Sequence, residues 1–432
     1  MQQGGTSGGA PIRSLEPFYG TIAQEQEPAH KESPLKPTIL CISTYEKGQP
    51  FLREAAALGM EILFLTVDTL ANADWPRDSI AHFFTMPEGR TPIEVLATVM
   101  GIARYHRIDR VVALDEFDLE AAALIREHMR LPGMGESTTR YFRDKLAMRT
   151  RAQRAGVPVP EFTGVFYHPD LVDFMANVPG PWLLKPRTSA SAIGIKPINH
   201  PDELWAALDQ LGDLQSHYVL ERFVPGEVFH CEGITWNREI LFAAPFQYGT
   251  PPMQTMHQGG VFSTRRLQPE SSDARLLLEA HRAVIEALGM VSGVTHTEFI
   301  KSHADGSFYF LETAARVGGA YIADVLHFAT NVNPWVEWAR IEAAALLGHA
   351  YTLPTLRDDF AGSIICLARQ QEPDTSSFND PEIVLRLHKH HHAGIIVQSN
   401  SASRVQSLIE DYTARFVDQF LAVQPVPDKP SA

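Results

Sequence analysis

Short apolar runs bounded by glycine, proline and small polar residues alternate with amphipathic stretches through the first third of the chain. Thr38-Ile-Leu-Cys-Ile-Ser43 is the first such run. A helical pattern over residues 51–58 follows it and stops at Gly59, and Glu61-Ile-Leu-Phe-Leu-Thr-Val67 is a second apolar run. A helix over residues 93–106 then leads to Arg110-Val-Val-Ala-Leu114. The helical pattern of residues 116–129 is broken at Pro132-Gly133. Strands alternating with helices predict a small parallel-sheet domain over residues 37–132. No GxGxxG follows the first strand. The domain is therefore read as a scaffold that shapes a pocket, with no dinucleotide assigned to it.

The texture changes near Ser137. A charged helix over residues 143–155 ends at Gly156-Val-Pro158-Val-Pro160, and strand-like runs then recur, many with the look of antiparallel partners. They are Trp182-Leu-Leu-Lys185, Tyr218-Val-Leu-Glu221, Glu239-Ile-Leu-Phe-Ala243, His296-Thr-Glu-Phe-Ile300 and Phe308-Tyr-Phe-Leu-Glu312. Helices over residues 202–211 and 272–288 lie between them, and a longer one covers residues 335–347. Trp335 and Trp338 fall on one side of that helix and read as packing residues. This stretch, residues 133–350, divides into lobes near 133–224 and 225–350. A C-terminal α/β subdomain over 351–432 has a strand at residues 394–398 and a last helix at residues 404–420. There is no internal repeat.

Composition narrows the function classes. With 432 residues the chain has room for several domains and a cleft between them, and 44% hydrophobic with 20% charged residues is ordinary for a globular protein. The formal net charge of −14, without a basic stripe, argues against nucleic acid as partner. The three cysteines, Cys41, Cys231 and Cys366, are far apart and form no CxxC pair, which fits a reduced cytoplasmic protein better than a zinc ribbon or disulfide framework. Residues 1–36, rich in Gly, Ser, Gln, Glu and Pro, read as a flexible tail rather than a signal peptide. No apolar stretch approaches the ~20 residues that span a bilayer, so no membrane role is expected.

The chemistry-bearing residues come in an order that suits a nucleoside triphosphate, which needs cations and backbone amides on its phosphates and carboxylates for its metal. Lys145 lies on a helix and alone means little. Lys185 ends an apolar strand, where a lysine needs an anion or an exit to water. The small-residue loop after it, with Ser189, Ser191 and Gly194, can turn amides and hydroxyls toward phosphate oxygens or be a plain hairpin. In Glu221-Arg-Phe223-Val-Pro-Gly-Glu227, backbone groups at Glu221 and Phe223 can read an adenine ring and Glu227 can accept ribose hydroxyls; the other reading is a turn with a solvated glutamate. The strongest element is Glu298 and Glu312, two carboxylates in consecutive apolar strands. Paired strands place them side by side, which like charges tolerate only around a cation. Arg316, in Arg316-Val-Gly318-Gly319, can stabilise a transferred phosphoryl group or hold a substrate carboxylate.

Taken together, these five motifs resemble the ATP-grasp superfamily over roughly residues 37–345, in the order that superfamily has them. The resemblance implies an α/β ATP-grasp fold: a Rossmann-like parallel-sheet domain, two α+β lobes clasping ATP, and a small C-terminal α/β lobe. It implies that Lys145 and Lys185 contact phosphates, that the loop over residues 188–194 closes over them, and that Glu221 and Phe223 form the adenine hinge with Glu227 on the ribose. It implies Mg2+, or Mn2+, on Glu298 and Glu312, with Arg316 catalytic. One departure is Ala314, where the superfamily often has Asn, which puts the number of metal ions in question.

The same resemblance implies ATP-dependent joining of a small-molecule carboxylate, such as an amino acid, to an amine through an acyl phosphate, with release of ADP. Homodimers are common in the superfamily. The substrate pocket is expected around His230, Glu232, His257, Arg265, Gly318 and Gly319. For His257 and Arg265 a solvated role is an equal reading. Two alternatives stay open: a carboxylase that uses bicarbonate, and an ATP-binding regulatory protein without turnover. The run His388-Lys-His-His-His392 has no nearby carboxylate or cysteine and is read as a solvated loop.

Overall fold

The computed structural model of the protein describes residues 36–190 and 192–423, with the backbone alone for residues 256–258. The tail expected over residues 1–36 therefore lies outside the described residues, Lys36 apart, as does Ser191.

The apolar runs at the start of the chain build a parallel sheet. Its strands are β1 (Thr38–Ile42), β2 (Glu61–Val67), β3 (His82–Met86) and β4 (Arg110–Ala113), in the order β3-β2-β1-β4. All five residues of β1 are buried, as befits a central strand covered on both faces. One face packs on the helices Pro92–Ile102 and Leu119–Met129 through Leu40, Ile42, Leu63 and Leu65. The other packs on Gln49–Ala57 and Pro334–Leu347 through Ile39, Cys41, Ile62 and Phe64. Trp338 meets Phe51 edge-on at 5.4 Å and stacks with Trp335 at 6.2 Å, which ties the later helix to this domain. The edge strand β3 is absent from the sequence reading because only Met86 of its five residues is buried.

Two antiparallel sheets follow. The smaller is formed by β5 (Phe162–Gly164), β6 (Trp182–Pro186), β7 (Lys196–Ile198) and β8 (Tyr218–Arg222), in the order β5-β8-β6-β7. The larger has eight strands: β9 (Gly226–Trp236), β10 (Glu239–Tyr248), β11 (Phe262–Arg266), β12 (Gly293–Ser302), β13 (Phe308–Ala314), β14 (Phe360–Leu367), β15 (Ile383–Arg386) and β16 (His392–Ser399). Their order is β13-β12-β9-β10-β11-β14-β16-β15, so the strands of the C-terminal lobe continue the sheet that begins with β9. The helix Ala402–Gln419 covers them through Val405, Leu408, Tyr412 and Phe416. The three cysteines are buried free thiols. No helix among the described residues is long and apolar enough to cross a membrane.

The loop after β4 carries three buried acids, and one of them sets a pH dependence. Asp118 accepts the Thr44 amide at 2.8 Å, while burial and the neighbouring Asp115 raise its carboxyl to about 7. A folded-state value above the unfolded one means that the fold favours the protonated acid. That stabilisation is full below about pH 4 and is lost as pH rises through 7. Asp118→Asn keeps an acceptor for Thr44 and has no such proton to lose. Its thermal midpoint should therefore gain on the parent protein between pH 5 and pH 8, by on the order of a few kcal/mol of stability. A difference that is flat across this range would contradict the assignment.

Candidate functional site

Strand register puts the chemistry on one face of the eight-stranded sheet. Glu298 lies opposite Glu312 on β13 and opposite His230 on β9; His296 lies opposite Ala314 and Glu232. Residues directly opposed across a ladder share a face, and so do alternate residues of one strand. The pairing of Phe246 with His230 and of Tyr248 with Thr264 carries this face on to β10 and β11. A cleft of about 850 Å³ lies between it and the smaller sheet, lined by Lys145, Lys185, Ser189, Phe223, Glu298, Glu312, Arg316 and Gly319 among others.

On the large-sheet side, Glu312 pairs with Lys145 Nζ at 2.6 Å, and Glu298 accepts the Tyr248 hydroxyl at 2.8 Å. The two carboxylates offer hard oxygens in one place, a donor set that suits Mg2+ better than a softer metal. Ala314 has no ligand atom to add and is itself buried against His296.

On the opposite side, Asp144 caps the helix Lys145–Arg154 by accepting the amides of Leu146 and Ala147 at 2.9 and 3.3 Å. The cap sets Lys145 at the first helical position, and its ammonium also donates to Ser189 O at 2.7 Å. Lys185, at the end of β6, forms an ion pair with Glu221. Arg149, one turn after Lys145, donates to the same carboxylate through Nε and Nη2 at 3.2 and 3.0 Å. Burial opposes the charge of Glu221, but these two cations hold its pKa below the ordinary value.

The hinge expectation for Glu221 needs correction. Its backbone stands inside the small sheet, in register with Phe162 on one side and Leu183 on the other, and its carboxylate is taken up by the two cations. The amide of Phe223 is also taken, by Pro181 O at 2.9 Å. What remains for a ring at this edge is the chain from Phe223 to Gly226, all of which lines the cleft. Glu227 is exposed and accepts from Gln247 Nε2 at 3.3 Å, just outside the cleft lining. Gly194 has φ +74°, which a side chain would resist, and it turns the loop between the lining residues Ile193 and Ile195.

The N-terminal domain reaches the site through Glu116. This residue accepts from Arg316 Nε at 3.2 Å and lies 3.8 Å from Arg143. Burial works against the Glu116 charge, yet the two arginines lower its pKa to about 2. Burial likewise opposes the Arg316 charge, but Glu116 raises its pKa, so the guanidinium stays protonated. Beyond Arg316, Ala320 and Tyr321 both adopt positive φ, 49° and 57°, before the helix Ile322–Thr330. Two consecutive non-glycine residues in this region store strain beside the cleft.

Beneath the Glu298 and Glu312 carboxylates lies a polar network. Glu232 Oε1 is 2.7 Å from His230 Nδ1 and 2.6 Å from His296 Nδ1, and His230 Nε2 is 2.7 Å from Thr264 Oγ1. Burial alone would lower the His296 imidazole, but Glu232, and then Glu298, raise it to about 10. For His230 burial prevails and keeps the ring neutral. Among the described residues these three form the one group of three or more His, Asp, Glu or Cys side chains close enough to share an ion. Glu232 already joins both rings, so the group reads as a support for His296.

Four of the substrate expectations do not face the cleft. His230 and Glu232 are buried below Tyr248 and His296 and do not line the cleft. Gly318 also stands behind it: a Cβ there would come 3.1 Å from His296 Nδ1 and 3.2 Å from Glu232 Oε2, so a larger residue would push on the network. Arg265 is on the other face of β11, donating to Gln247 Oε1 at 2.6 Å, and lies outside the lining. Gly319 lines the cleft. The side chain of His257 lies outside the described residues, its backbone falling in the helix Pro252–Gln258. His388, His390 and His391 are exposed in the turn between β15 and β16.

Sequence reasoning missed Glu116, Arg149, Tyr248 and His296 as site residues. Two had usable signals. Arg149 follows Lys145 at the four-residue spacing of one helix face. Glu116 sits in an acidic loop at the C-terminal end of a parallel strand, where α/β sheets bind ligands. Tyr248 and His296 depend on strand register, which the sequence leaves open.

No protein-family model matches the chain. It is 26% identical over 253 residues to the L-arginine-specific L-amino acid ligase of Bacillus subtilis, a match of 57% of this chain and 60% of that protein. It is 25% identical over 253 residues to the alanine–anticapsin ligase of the same species, covering 52% of each. The chain thus spans between half and three fifths of the length of these curated relatives. Among solved structures, the L-amino acid ligase of Bacillus licheniformis superposes with a TM-score of 0.68 at 18% identity, over 90% of this chain and 100% of that one. The N5-carboxyaminoimidazole synthetase of Staphylococcus aureus complexed with ADP superposes with a TM-score of 0.65 at 17% identity, over 88% and 98%. The chain has the ATP-grasp fold and resembles, among the proteins that carry it, the carboxylate–amine ligases.

Proposed function

We propose that the protein is an ATP-dependent carboxylate–amine ligase that joins an amino acid, or a similar small acid, to an amine. The observation that carries this reading is the opposition of Glu298 and Glu312 on one wall to Lys145 and Lys185 on the other, with Arg316 beside them. ATP lies with its ring at the Phe223–Gly226 edge, its ribose toward Glu227 and its phosphates between the lysines. Glu298 and Glu312 would hold Mg2+ or Mn2+, which would supply charge screening of the phosphates and Lewis-acid activation for the transfer. The acid's carboxylate oxygen attacks that phosphorus and ADP leaves. The amine then attacks the acyl carbon and inorganic phosphate leaves. A free carboxylate lacks a leaving group, and phosphorylation supplies one. The chain's task is then positioning and charge stabilisation. Arg316, held by Glu116, offers a fixed positive charge to the phosphoryl oxygens. Closure of the cleft around its substrates would keep water from the acyl phosphate. The buried free thiols suit a reducing cytoplasm.

The test is phosphate release from Mg–ATP against amino acids, small carboxylates and bicarbonate, each with and without an amine. The expected result is ADP release that depends on one class of acid, with the condensed product seen by mass. A strict bicarbonate requirement would shift the assignment to a carboxylase that uses bicarbonate, and AMP formation would exclude the acyl phosphate.

A further inference from the structure

The face that carries the metal carboxylates continues past them as an apolar wall. Tyr248 is the joint between the two parts. Its hydroxyl donates to Glu298 at 2.8 Å, and its ring meets Phe262 edge-on at 5.5 Å. Phe262 lies opposite Ile365 on β14, and Leu367 follows two residues later on the same face. Ile322, packed with Tyr248 in one cluster, and Met253 complete the lining at this end of the cleft. The wall therefore starts about one aromatic ring away from the place where an acid must put its carboxylate.

The charges that line the cleft sharpen the point. Its carboxylates among the described residues are Glu116, Glu221, Glu298 and Glu312. Glu116 is held by Arg316, Glu221 by Lys185 and Arg149, and the other two face the metal position. None is left over to pair with a cationic side chain at the Phe262 end, and an ammonium or guanidinium buried there unpaired would be strongly disfavoured.

We propose that Phe262, Ile365, Leu367 and Ile322 form the subsite for the side chain of the amino acid that is phosphorylated, and that this acid is aliphatic or aromatic. The assignment rests on the ligase reading above and differs from the specificity that names the arginine-specific relative. The acid's carboxylate sits toward Glu298 and Glu312, and its side chain runs along Tyr248 to Phe262.

The experiment offers the full-length protein Mg–ATP and glycine with L-leucine, L-methionine, L-phenylalanine, L-arginine or L-serine, and sequences the dipeptides by tandem mass spectrometry. The residue that was activated is the N-terminal one. The expected products are Leu-Gly, Met-Gly and Phe-Gly, formed at least ~10-fold more efficiently than Arg-Gly or Ser-Gly. Ile365→Glu should reverse the order of leucine and arginine. Phe262→Ala, the milder change, should raise the relative efficiency of phenylalanine over leucine by opening room. Preference for Arg-Gly, or leucine found only as the C-terminal residue, overturns the subsite while the ligase reading stands. ADP release that needs bicarbonate and no amino acid overturns both.

Discussion

Glu312→Gln should lower acid-dependent ADP release by at least ~100-fold, the equivalent of about 3 kcal/mol of transition-state stabilisation. The substitution keeps the shape of the side chain and removes the charge of one of the two carboxylates opposed across β12 and β13 that are proposed to hold the metal. Folding should change little. The lost ion pair with Lys145 involves a carboxylate that is 31% exposed, and Lys145 keeps its bond to Ser189 O at 2.7 Å. Thermal melting beside steady-state kinetics separates the two effects. If the loss lies in metal affinity, raised Mg2+ or Mn2+ should restore part of the rate. Turnover equal to the parent protein's would remove Glu312 from the metal site.

Glu221→Gln should be the most destabilising single change at the site. The residue is 1% exposed and is the shared partner of Lys185 and Arg149, the latter also 1% exposed. Removing its charge leaves two buried cations facing each other with a neutral amide between them, a loss of about 3–5 kcal/mol. Burial stabilises the native protein here only while the pairing is complete. The expected readout is a drop of several degrees in thermal midpoint together with weaker ATP affinity, because Lys185 loses the group that aims it. Lys185→Met, which leaves the Arg149–Glu221 pair intact, should cost less stability while losing as much ATP affinity. Equal melting of both variants would show that the carboxylate is not the keystone of this cluster.

The sequence was readable where one physical cause dominated. Continuous apolar runs gave β1, β2 and β4, since strands covered on both faces need no alternation. It was opaque where function had replaced apolar residues. The eleven-residue β9 went unread because its buried interior includes His230, Cys231, Glu232 and Thr235. The strand β11 was hidden by Ser263, Thr264, Arg265 and Arg266. At the site, the paired glutamates and Lys185 stood out because charge in an apolar strand is costly and therefore conspicuous. His230 shows the limit of such reasoning. The register of β9 with β12 places it on the same face as Glu298, but its depth below Tyr248 follows from how neighbouring strands stack their side chains, and no local pattern encodes that.

The continuity of the eight-stranded sheet separates two kinds of change that a protein lineage can make. The carboxylates proposed to hold the metal belong to β13, at the edge of the sheet, and its neighbour β12, whereas the apolar wall belongs to β11 and β14, on the far side of β9 and β10. Side-chain exchange on the latter pair can retune which acid is accepted without touching the phosphoryl chemistry. Inserting or deleting a single residue in β14 would turn Ile365 and Leu367 away from the cleft at a stroke. Diversification along this sheet is thus free in residue identity and tightly constrained in strand length.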